Sequence, residues 1–471
     1  MNASSILNKV FKERWNSEGL VINNQSFLYK DIYQKALAIK LKLNKLGCNE
    51  GDKLILKLPN GSVFFHSYLA SIIGGFTFIP INIDKTDDNF LFIKNKVNPK
   101  LIIDDEKILG NLESISVKYP NFNYPSNQDA GVFFTSGTTG SPKGVAHTLD
   151  NLVLNAKSFN TMLGIQHTCR LYHIFPMSYM AGFLNSLLLP IVSGGTVVIG
   201  NQFNAMNIFG FWEDVLDKKI NTLWLSPTMA YMLTKINRDK KIEEKIKDKL
   251  LNIFSATAPL QAHIKKTFYE SFGYYLQNSY GMTELLLVSA QSMNEAGLNE
   301  TSGTMLPEII SKTEFNKQSK NHELLIKTPF MLSNYFMSDE ANHLDSKGYF
   351  ITGDIAKVDG KKLDITGRIK DIIIRGGINI SPREIERVIY SNKIVKEVFV
   401  IGKPDEFWGE IIIVFLSIDL ACDVKKVKKD IHNICKSKLP SSMMPDKFIY
   451  VDNLPKTLSG KIERRKLVEF L

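Results

Sequence analysis

A short stretch of glycines, hydroxyl side chains and one lysine has the chemistry of a polyphosphate site. Residues 131–145 read GVFFTSGTTGSPKGV, and the apolar run from Val132 to Thr135 predicts a buried strand leading into the stretch. The glycines that follow let backbone N–H groups approach a ligand closely. Hydroxyls and a positive charge make the loop rich in donors, which suits phosphate groups. The residues concerned are Thr135, Ser136, Gly137, Thr138, Thr139, Gly140 and Lys143.

Composition alone leaves a second interpretation open, because clusters of serine and glycine are commonly solvated turns. The mononucleotide P-loop does not fit, since that motif ends in Gly-Lys-Ser/Thr and Lys143 lies between Pro142 and Gly144. The string SGTTGSPKG resembles instead the phosphate-binding signature of the acyl-adenylate-forming (AMP-binding) enzyme superfamily. That superfamily contains acyl-CoA synthetases, adenylation domains of peptide synthetases and beetle luciferases. The resemblance implies an acid–thiol ligase of the AMP-forming acyl-CoA synthetase type.

A second motif, NSYGMTE, offers three different groups to a nucleotide. Tyr280 has an aromatic face on which adenine could stack. Thr283 has a hydroxyl for the α-phosphate, and Glu284 has a carboxylate of the kind that Mg²⁺ prefers beside phosphate oxygens. A surface turn is the alternative for each, but the order of the motifs along the chain matches the superfamily. The resemblance implies catalytic roles for Thr283 and Glu284 and sets two small residues against the adenine: Thr257 and Ala258.

Two further motifs supply ribose, hinge and thiol groups. Asp354 follows an apolar strand in YFITGDIA, and a carboxylate can accept from both hydroxyls of a ribose. The resemblance makes Asp354 the ribose ligand and lets Arg368 reach the ribose and phosphate side. It makes Lys370 the hinge about which the C-terminal domain rotates. It also puts Gly376 and Gly377 beside the pantetheine arm of the acyl acceptor.

Near the C-terminus, LPKTLSGKIERRK contains Lys461, which without context would be an ordinary surface lysine. The resemblance makes Lys461 the catalytic lysine of acyl-AMP formation. A carboxylate that attacks the α-phosphate of ATP is an anion meeting an anion, so positive charge must be supplied there. Lys461 must then leave before a thiol enters, and this requirement explains the hinge.

The acyl pocket is the least defined part of the site. The resemblance places it around HIFPMSYMAGF and the strand before Tyr280, with Tyr179, Phe183 and Ser279 as lining residues. Tyr179 stands where the superfamily often has histidine, and a half-buried core tyrosine is an alternative interpretation. Residues 175–189 contain no carboxylate. An α-amino acid is therefore disfavoured as substrate, because its ammonium would be buried unpaired.

The elements that position these motifs alternate between strand and helix, which predicts an α/β fold with parallel strands. Apolar spacing predicts a helix from Leu28 to Leu46 that ends at Gly47, and a strand from Phe76 to Ile79. We expect a large N-terminal domain of packed α/β subdomains, residues 1–369, and a small mobile α+β domain, residues 370–471. Asn334 and Tyr335 lack the superfamily's usual glycine and are expected to be scaffold only.

Composition excludes several classes of protein. The chain has 471 residues, a formal net charge of +10 and scattered lysines without a nucleic-acid motif. Its cysteines, Cys48, Cys169, Cys422 and Cys435, form no CxxC pair, which favours a reducing compartment. The N-terminus lacks the apolar segment of a signal peptide, and apolar runs are too short to span a bilayer. We expect a cytoplasmic protein without nucleic-acid partners or membrane span.

Three functions remain open at this point. The first is activation of a fatty or aromatic carboxylic acid with ATP and Mg²⁺, followed by transfer to CoA. The second keeps adenylation but uses the phosphopantetheine of an acyl- or peptidyl-carrier protein as acceptor. The third is a non-catalytic nucleotide-binding protein on the same fold. The presence of both Lys461 and Glu284 argues against the third. The oligomeric state cannot be derived from the sequence.

Overall fold

The computed structural model describes the chain except for residues 84–86, 136–141, 204–207, 237–240, 318, 337–342, 393, 419–423 and 457–461. It is a mixed α/β structure with a large N-terminal part and a small C-terminal part, as expected. Among the described residues, no helix combines the length and the apolar character needed to cross a bilayer. The α-helices are α1 (Ala3–Glu13), α2 (Tyr29–Lys45), α3 (Ser62–Gly74), α4 (Asp87–Val97), α5 (Leu149–Leu163), α6 (Met180–Phe183), α7 (Leu189–Ser193), α8 (Phe211–Asp217), α9 (Pro227–Ile236), α10 (Ile242–Ile246), α11 (Ala262–Phe272), α12 (Pro382–Ile389), α13 (Val424–Lys438) and α14 (Arg464–Leu467).

The strands form three sheets. In chain order they are β1 (Glu18–Ile22), β2 (Gln25–Leu28), β3 (Lys53–Leu56), β4 (Thr77–Pro80), β5 (Leu101–Ile103), β6 (Asp129–Thr135), β7 (Lys143–Thr148), β8 (Arg170–His173), β9 (Thr196–Ile199), β10 (Thr222–Leu225), β11 (Asn252–Ser255), β12 (Gln277–Met282), β13 (Leu286–Ala290), β14 (Thr304–Met305), β15 (Ile310–Asn316), β16 (Asn321–Lys327), β17 (Asn334–Phe336), β18 (Phe350–Asp359), β19 (Lys362–Arg368), β20 (Ile373–Arg375), β21 (Ile378–Ile380), β22 (Val395–Asp405), β23 (Gly409–Ile418) and β24 (Lys447–Tyr450).

The largest sheet carries the nucleotide motifs. Its order is β15-β16-β18-β19-β14-β13-β12-β11-β10-β8-β9-β1-β2. Strands β8, β10, β11 and β12 are parallel, with Thr222 opposite Asn252 and Phe254 opposite Gln277. Their carboxyl ends therefore meet at one edge, where open α/β sheets bind ligands. The antiparallel half brings β18 and β19 into the same sheet.

A second sheet, β17-β7-β6-β4-β3-β5, holds the glycine-rich stretch between two of its strands. Strands β3, β4, β5 and β6 are parallel, and β6 and β7 form an antiparallel hairpin. In that hairpin Thr135 pairs with Lys143, so the two ends of the phosphate-loop segment lie side by side. The hairpin fixes where the segment starts and ends.

The C-terminal sheet, β21-β20-β23-β22 with β24 beside β23, is packed against α12 and α13. Its buried side chains begin at Ile373, whereas the main core of the N-terminal part ends at Leu363. The short 3₁₀ turn Ile369–Asp371 joins the two parts. The predicted boundary at residue 370 thus falls between two separate cores.

Local predictions compare closely with the observed elements. Helix α2 ends at Lys45, and Gly47 follows with φ +83°, as expected of a helix-ending glycine. The strand expected from Phe76 to Ile79 is shifted by one residue, to Thr77–Pro80. Pro382 begins α12 at its first position, with Ser381 as N-cap. The Ser381 hydroxyl is buried and has no hydrogen-bond partner among the described residues, so it does not cap a backbone N–H of the helix.

Candidate active site

Tyr280, Asp354 and Arg368 form one hydrogen-bonded cluster at the edge of the large sheet. The Tyr280 hydroxyl donates to Asp354 Oδ2 at 2.6 Å, and Arg368 Nε donates to Asp354 Oδ1 at 2.6 Å. Asp354 and Arg368 face each other across β18 and β19, while Tyr280 arrives from the distant strand β12. Three residues chosen from separate motifs are therefore in direct contact. We call them the nucleoside cluster.

The charges in the nucleoside cluster are balanced. Asp354 is 2% exposed, whereas 56% of the Arg368 side chain is exposed, so the guanidinium can still reach a ligand. Burial and then the Asp354 charge raise the pKa of Tyr280 well above its usual value, which keeps the phenol a donor. Each carboxylate oxygen accepts one bond within the cluster and has a second lone pair. Each oxygen of Asp354 therefore keeps an acceptor site for a ligand hydroxyl that reaches it.

The turn after β12 holds Thr283 and Glu284 between the two large sheets. The ring Nε2 of His147, on β7, lies 2.7 Å from the Thr283 carbonyl oxygen. A carbonyl only accepts, so this ring nitrogen carries the proton and donates. Burial lowers the pKa of His147 to about 4, which leaves the ring neutral at neutral pH. His147 thus ties the phosphate-loop hairpin to the Thr283 turn.

Residues on and just before strand β17 also contact Glu284. The Tyr335 hydroxyl donates to Glu284 Oε1 at 3.3 Å, and the backbone N–H of Leu332 donates to the Glu284 carbonyl at 2.7 Å. Tyr335 was expected to be scaffold only, so that expectation is corrected here. Strand β17 pairs with β7, and this pairing carries Tyr335 to the site. Sequence reasoning had no local signal for Tyr335 or His147, because both act on residues remote in sequence.

Thr257 has an uncommon backbone conformation just beyond the carboxyl end of β11. Its φ is +75°, a value that a β-branched residue rarely adopts. Such strained positions concentrate at functional sites because the surrounding structure must hold them. Ala258 beside it is half-buried. This geometry is consistent with the predicted place of both residues beside the adenine.

The predicted acyl-pocket residues are in unequal surroundings. Tyr179 is half-buried, and Ser279 is buried with its hydroxyl donating to the Ser289 carbonyl at 2.9 Å. Phe183 is 3% exposed and lies in an aromatic cluster. Its ring centroid is 4.7 to 5.4 Å from those of three rings: Tyr68, Phe78 and Phe133. Phe183 is therefore a core ring in this structure.

The remaining predicted residues lie in or beside the C-terminal part, with some outside the described chain. Lys370 is exposed. Gly376 and Gly377 have φ of +55° and +78°, and a Cβ on Gly376 would lie 3.2 Å from the Trp408 ring. Glycine is therefore required at this close approach. The predicted residues that lie outside the described residues are Ser136, Gly137, Thr138, Thr139, Gly140 and Lys461.

Comparison with known proteins gives matches over most of the chain. An AMP-binding enzyme model matches residues 10–336, and an AMP-binding enzyme C-terminal domain model matches residues 384–461. The chain is 29% identical to oxalate–CoA ligase of Arabidopsis thaliana, over 89% of this chain and 88% of that protein. It is 27% identical to 2-succinylbenzoate–CoA ligase of Listeria monocytogenes, over 96% of each chain.

Solved structures share the fold. ATP-bound MatB from Rhodopseudomonas palustris superposes with a TM-score of 0.87 at 22% identity, over 100% of this chain and 99% of that one. The family model covers most of the N-terminal part, and the C-terminal model covers most of the rest. The chain belongs to the AMP-binding enzyme family.

Proposed function

We propose that this protein is an AMP-forming acyl-CoA synthetase that acts on a fatty or aromatic carboxylic acid. In the first half-reaction the acid's carboxylate oxygen attacks the α-phosphorus of ATP, and pyrophosphate leaves. In the second, the CoA thiol loses its proton and attacks the acyl carbon, and AMP leaves as the thioester forms. The observation that carries the proposal is the nucleoside cluster at the sheet edge of a chain in this family.

The residues of the cluster bind and orient the nucleoside. Asp354 accepts the ribose hydroxyls, Arg368 lies toward the phosphates, and Tyr280 offers its ring to adenine. Fixing the nucleoside places the α-phosphate beside the acid, and such positioning is most of what this chemistry needs. Lys143 and Lys461 are assigned to the phosphate charge, with the loop residues from Thr135 to Gly140 as further donors.

Magnesium fits one residue of the site. Glu284 is a half-buried carboxylate, and the described residues contain no group of three or more His, Cys, Asp or Glu side chains arranged around a metal. That pattern suits Mg²⁺, which typically uses one or two carboxylates together with substrate phosphates. When bound, the ion neutralises phosphate charge. Tyr335 and His147 hold the turn on which Glu284 lies.

The acid is proposed from the lining residues. The stretch from residue 175 to 189, which includes Tyr179, supplies no carboxylate to pair with an ammonium, so an acid without an α-amino group fits. The relatives' names add dicarboxylic candidates, since they include ligases of oxalate and of 2-succinylbenzoate. CoA is proposed as acceptor because the similar proteins are CoA ligases.

The test is pyrophosphate release from ATP with a panel of acids. The panel contains fatty, aromatic, dicarboxylic and α-amino acids, each assayed alone, with CoA, and with a phosphopantetheinylated carrier protein. We expect release with at least one fatty or aromatic acid and a thioester with CoA. If a thioester forms only on the carrier protein, the acceptor is the carrier protein and not CoA. Absence of pyrophosphate with every acid would contradict the proposed activity.

A further inference from the structure

The C-terminal part, residues 370–471 and here called the lid, contacts the N-terminal part, the body, at separate places. Next to the proposed hinge, Arg383 Nη1 donates to the Ile365 carbonyl at 2.6 Å. Farther along the lid, Tyr390 and Lys456 contact two body helices, α11 and α9. Both helices begin just after parallel strands of the large sheet, so their N-termini lie at the edge that carries the nucleoside cluster.

An aromatic stack joins the lid to α11. The rings of His263 and Tyr390 lie 4.2 Å apart between centroids with an interplanar angle of 20°. Tyr231 of α9 also contacts His263, edge-on, with 6.3 Å between the ring centroids. Neither His263 ring nitrogen has a hydrogen-bond partner among the described residues. The contact therefore depends on ring packing alone.

The stack carries no charge at neutral pH. Burial, and then the nearby Lys235, lowers the pKa of His263 to about 4, so the imidazole is neutral. The Tyr390 hydroxyl accepts from the Val398 backbone N–H at 3.1 Å, which fixes the ring within the lid. Two neutral rings can separate without leaving a buried charge unpaired. Such a contact is suited to repeated opening.

A second contact lies at the start of α9. Lys456 Nζ contacts the Glu397 carboxylate within the lid and donates to Thr228 Oγ1 of the body at 3.3 Å. Lys456 also pairs with Ile462 in an isolated β-bridge. Residues 456 and 462 flank the segment that contains Lys461. Lys456 and Ile462 are thus joined to each other and, through Lys456, to the start of α9.

We propose that the His263–Tyr390 stack and the Lys456–Thr228 contact form a latch that holds the lid in the arrangement used for acyl-AMP formation. The latch sets how the enzyme is partitioned between its two half-reactions. Rotation about Lys370 must separate both contacts, because they join the lid to helices remote from the hinge. This inference rests on the proposed function. His263 and Tyr390 are positioning residues, since they act through the lid.

The test compares both half-reactions in His263→Ala, Tyr390→Leu and the double variant. ATP–pyrophosphate exchange reports acyl-AMP formation, and thioester formation from supplied acyl adenylate and CoA reports the second step. Loss of a packed aromatic pair should lower exchange by about two- to tenfold. The second step should stay the same or accelerate. The double variant should fall no further than the larger single effect, because both changes break one contact.

Two control variants separate the latch from general loss of packing. Tyr390→Phe keeps the stacked ring and loses only the hydrogen bond from Val398, which lies within the lid, so the ratio of the two rates should stay close to wild type. Tyr269 on α11 stacks on Tyr275 at 4.2 Å and 9°, and both belong to the body. Tyr269→Leu removes an equivalent stack from the same helix, so it should leave the ratio unchanged.

The outcomes distinguish the latch from the activity. Equal loss of both half-reactions in His263→Ala, or the same change of ratio in Tyr269→Leu, would overturn the latch. A wild-type enzyme that performs neither half-reaction with any acid would overturn the proposed function instead. A selective loss of exchange in the lid-contact variants, with both controls unaffected, would establish the latch.

Discussion

The nucleoside cluster and the latch differ in the kind of interaction that holds them. In the cluster, a carboxylate that is 2% exposed receives two hydrogen bonds of 2.6 Å, one of them from a guanidinium. In the latch, a stack of neutral rings and one hydrogen bond of 3.3 Å join two parts of the chain. The ion pair of the cluster thus lies within the body, where nothing has to separate.

The two kinds of contact differ in the free energy needed to separate them. Breaking a buried ion pair leaves a charge without its partner and costs about 3–5 kcal/mol. An aromatic pair contributes only about 0.5–1.5 kcal/mol beyond its buried area. A lid held by an ion pair to a carboxylate as buried as Asp354 would be slow to leave. The following predictions test this contrast, beginning with the largest effect.

Replacing the lid's proposed catalytic residue, Lys461→Ala, should lower acyl-AMP formation by about 100- to 1,000-fold, a loss typical of removing a transition-state charge contact. Thioester formation from supplied acyl adenylate should remain near wild type, because Lys461 acts only in the first step. Lys466→Ala, which removes a nearby exposed lysine, is the control. Equal loss of both half-reactions would remove Lys461 from its assigned role.

Removing the charge at the centre of the cluster, Asp354→Ala, should raise the KM for ATP by about 10- to 100-fold. The ribose would lose its acceptor, and hydrogen bonds to charged groups contribute about 1.5–3 kcal/mol. Steady-state kinetics with varied ATP measures the effect. Asp364→Ala on β19 changes a carboxylate outside the cluster and should leave this KM unaltered. An unchanged ATP affinity in Asp354→Ala would show that the residue does not bind ribose.

The variant His147→Leu removes the hydrogen bond from His147 to the Thr283 carbonyl. It should reduce kcat/KM for acyl-AMP formation by about two- to tenfold, which corresponds to the free energy of one hydrogen bond. The Thr283 turn loses its donor, while the nucleoside cluster is untouched. His147→Gln supplies an amide donor and should recover part of the rate. Wild-type kinetics in His147→Leu would mean that the turn holds its position without β7.

The last prediction concerns the stability of the lid rather than a rate. Burial raises the pKa of Glu386 to about 7, although the Val400 N–H and Arg383 favour its charged form. The folded pKa is above the unfolded one, so this stabilising contribution is full below about pH 4.5 and is lost as pH rises through 7. The free energy of unfolding of Glu386→Gln, measured by chemical denaturation, should therefore rise relative to that of wild type between pH 5 and 8, by about 1–3 kcal/mol.

Glu384→Gln, in the same helix and exposed, is the matched control and should show no such pH-dependent gain. A constant difference in unfolding free energy between wild type and Glu386→Gln from pH 5 to 8 would contradict the buried-carboxyl interpretation.

The sequence predicted the elements and motifs that depend on neighbouring residues. It did not predict contacts between residues far apart in the chain. The helix over Tyr29–Lys45 and the strand Thr77–Pro80 follow from apolar spacing and a glycine, so they were foreseen to within a residue or two. The cluster residues were found because each lies within a short motif. Tyr335 and His147 were not, since they meet Glu284 and Thr283 across 51 and 136 residues.

Packing set the remaining limits. Phe183 contacts three neighbouring rings, and its place in the acyl pocket stays a prediction. Which aromatic faces a substrate depends on how α3, β4, β6 and α6 come together, and spacing along the chain does not encode that. The phosphate-loop residues 136–140 and Lys461 remain predictions from motifs.

Arg368 is the last residue of β19, and one residue, Ile369, separates it from Lys370. The side chain proposed to reach the phosphate side of the nucleotide thus lies almost at the proposed hinge. Release of AMP would therefore remove a proposed ligand contact two residues before the proposed hinge.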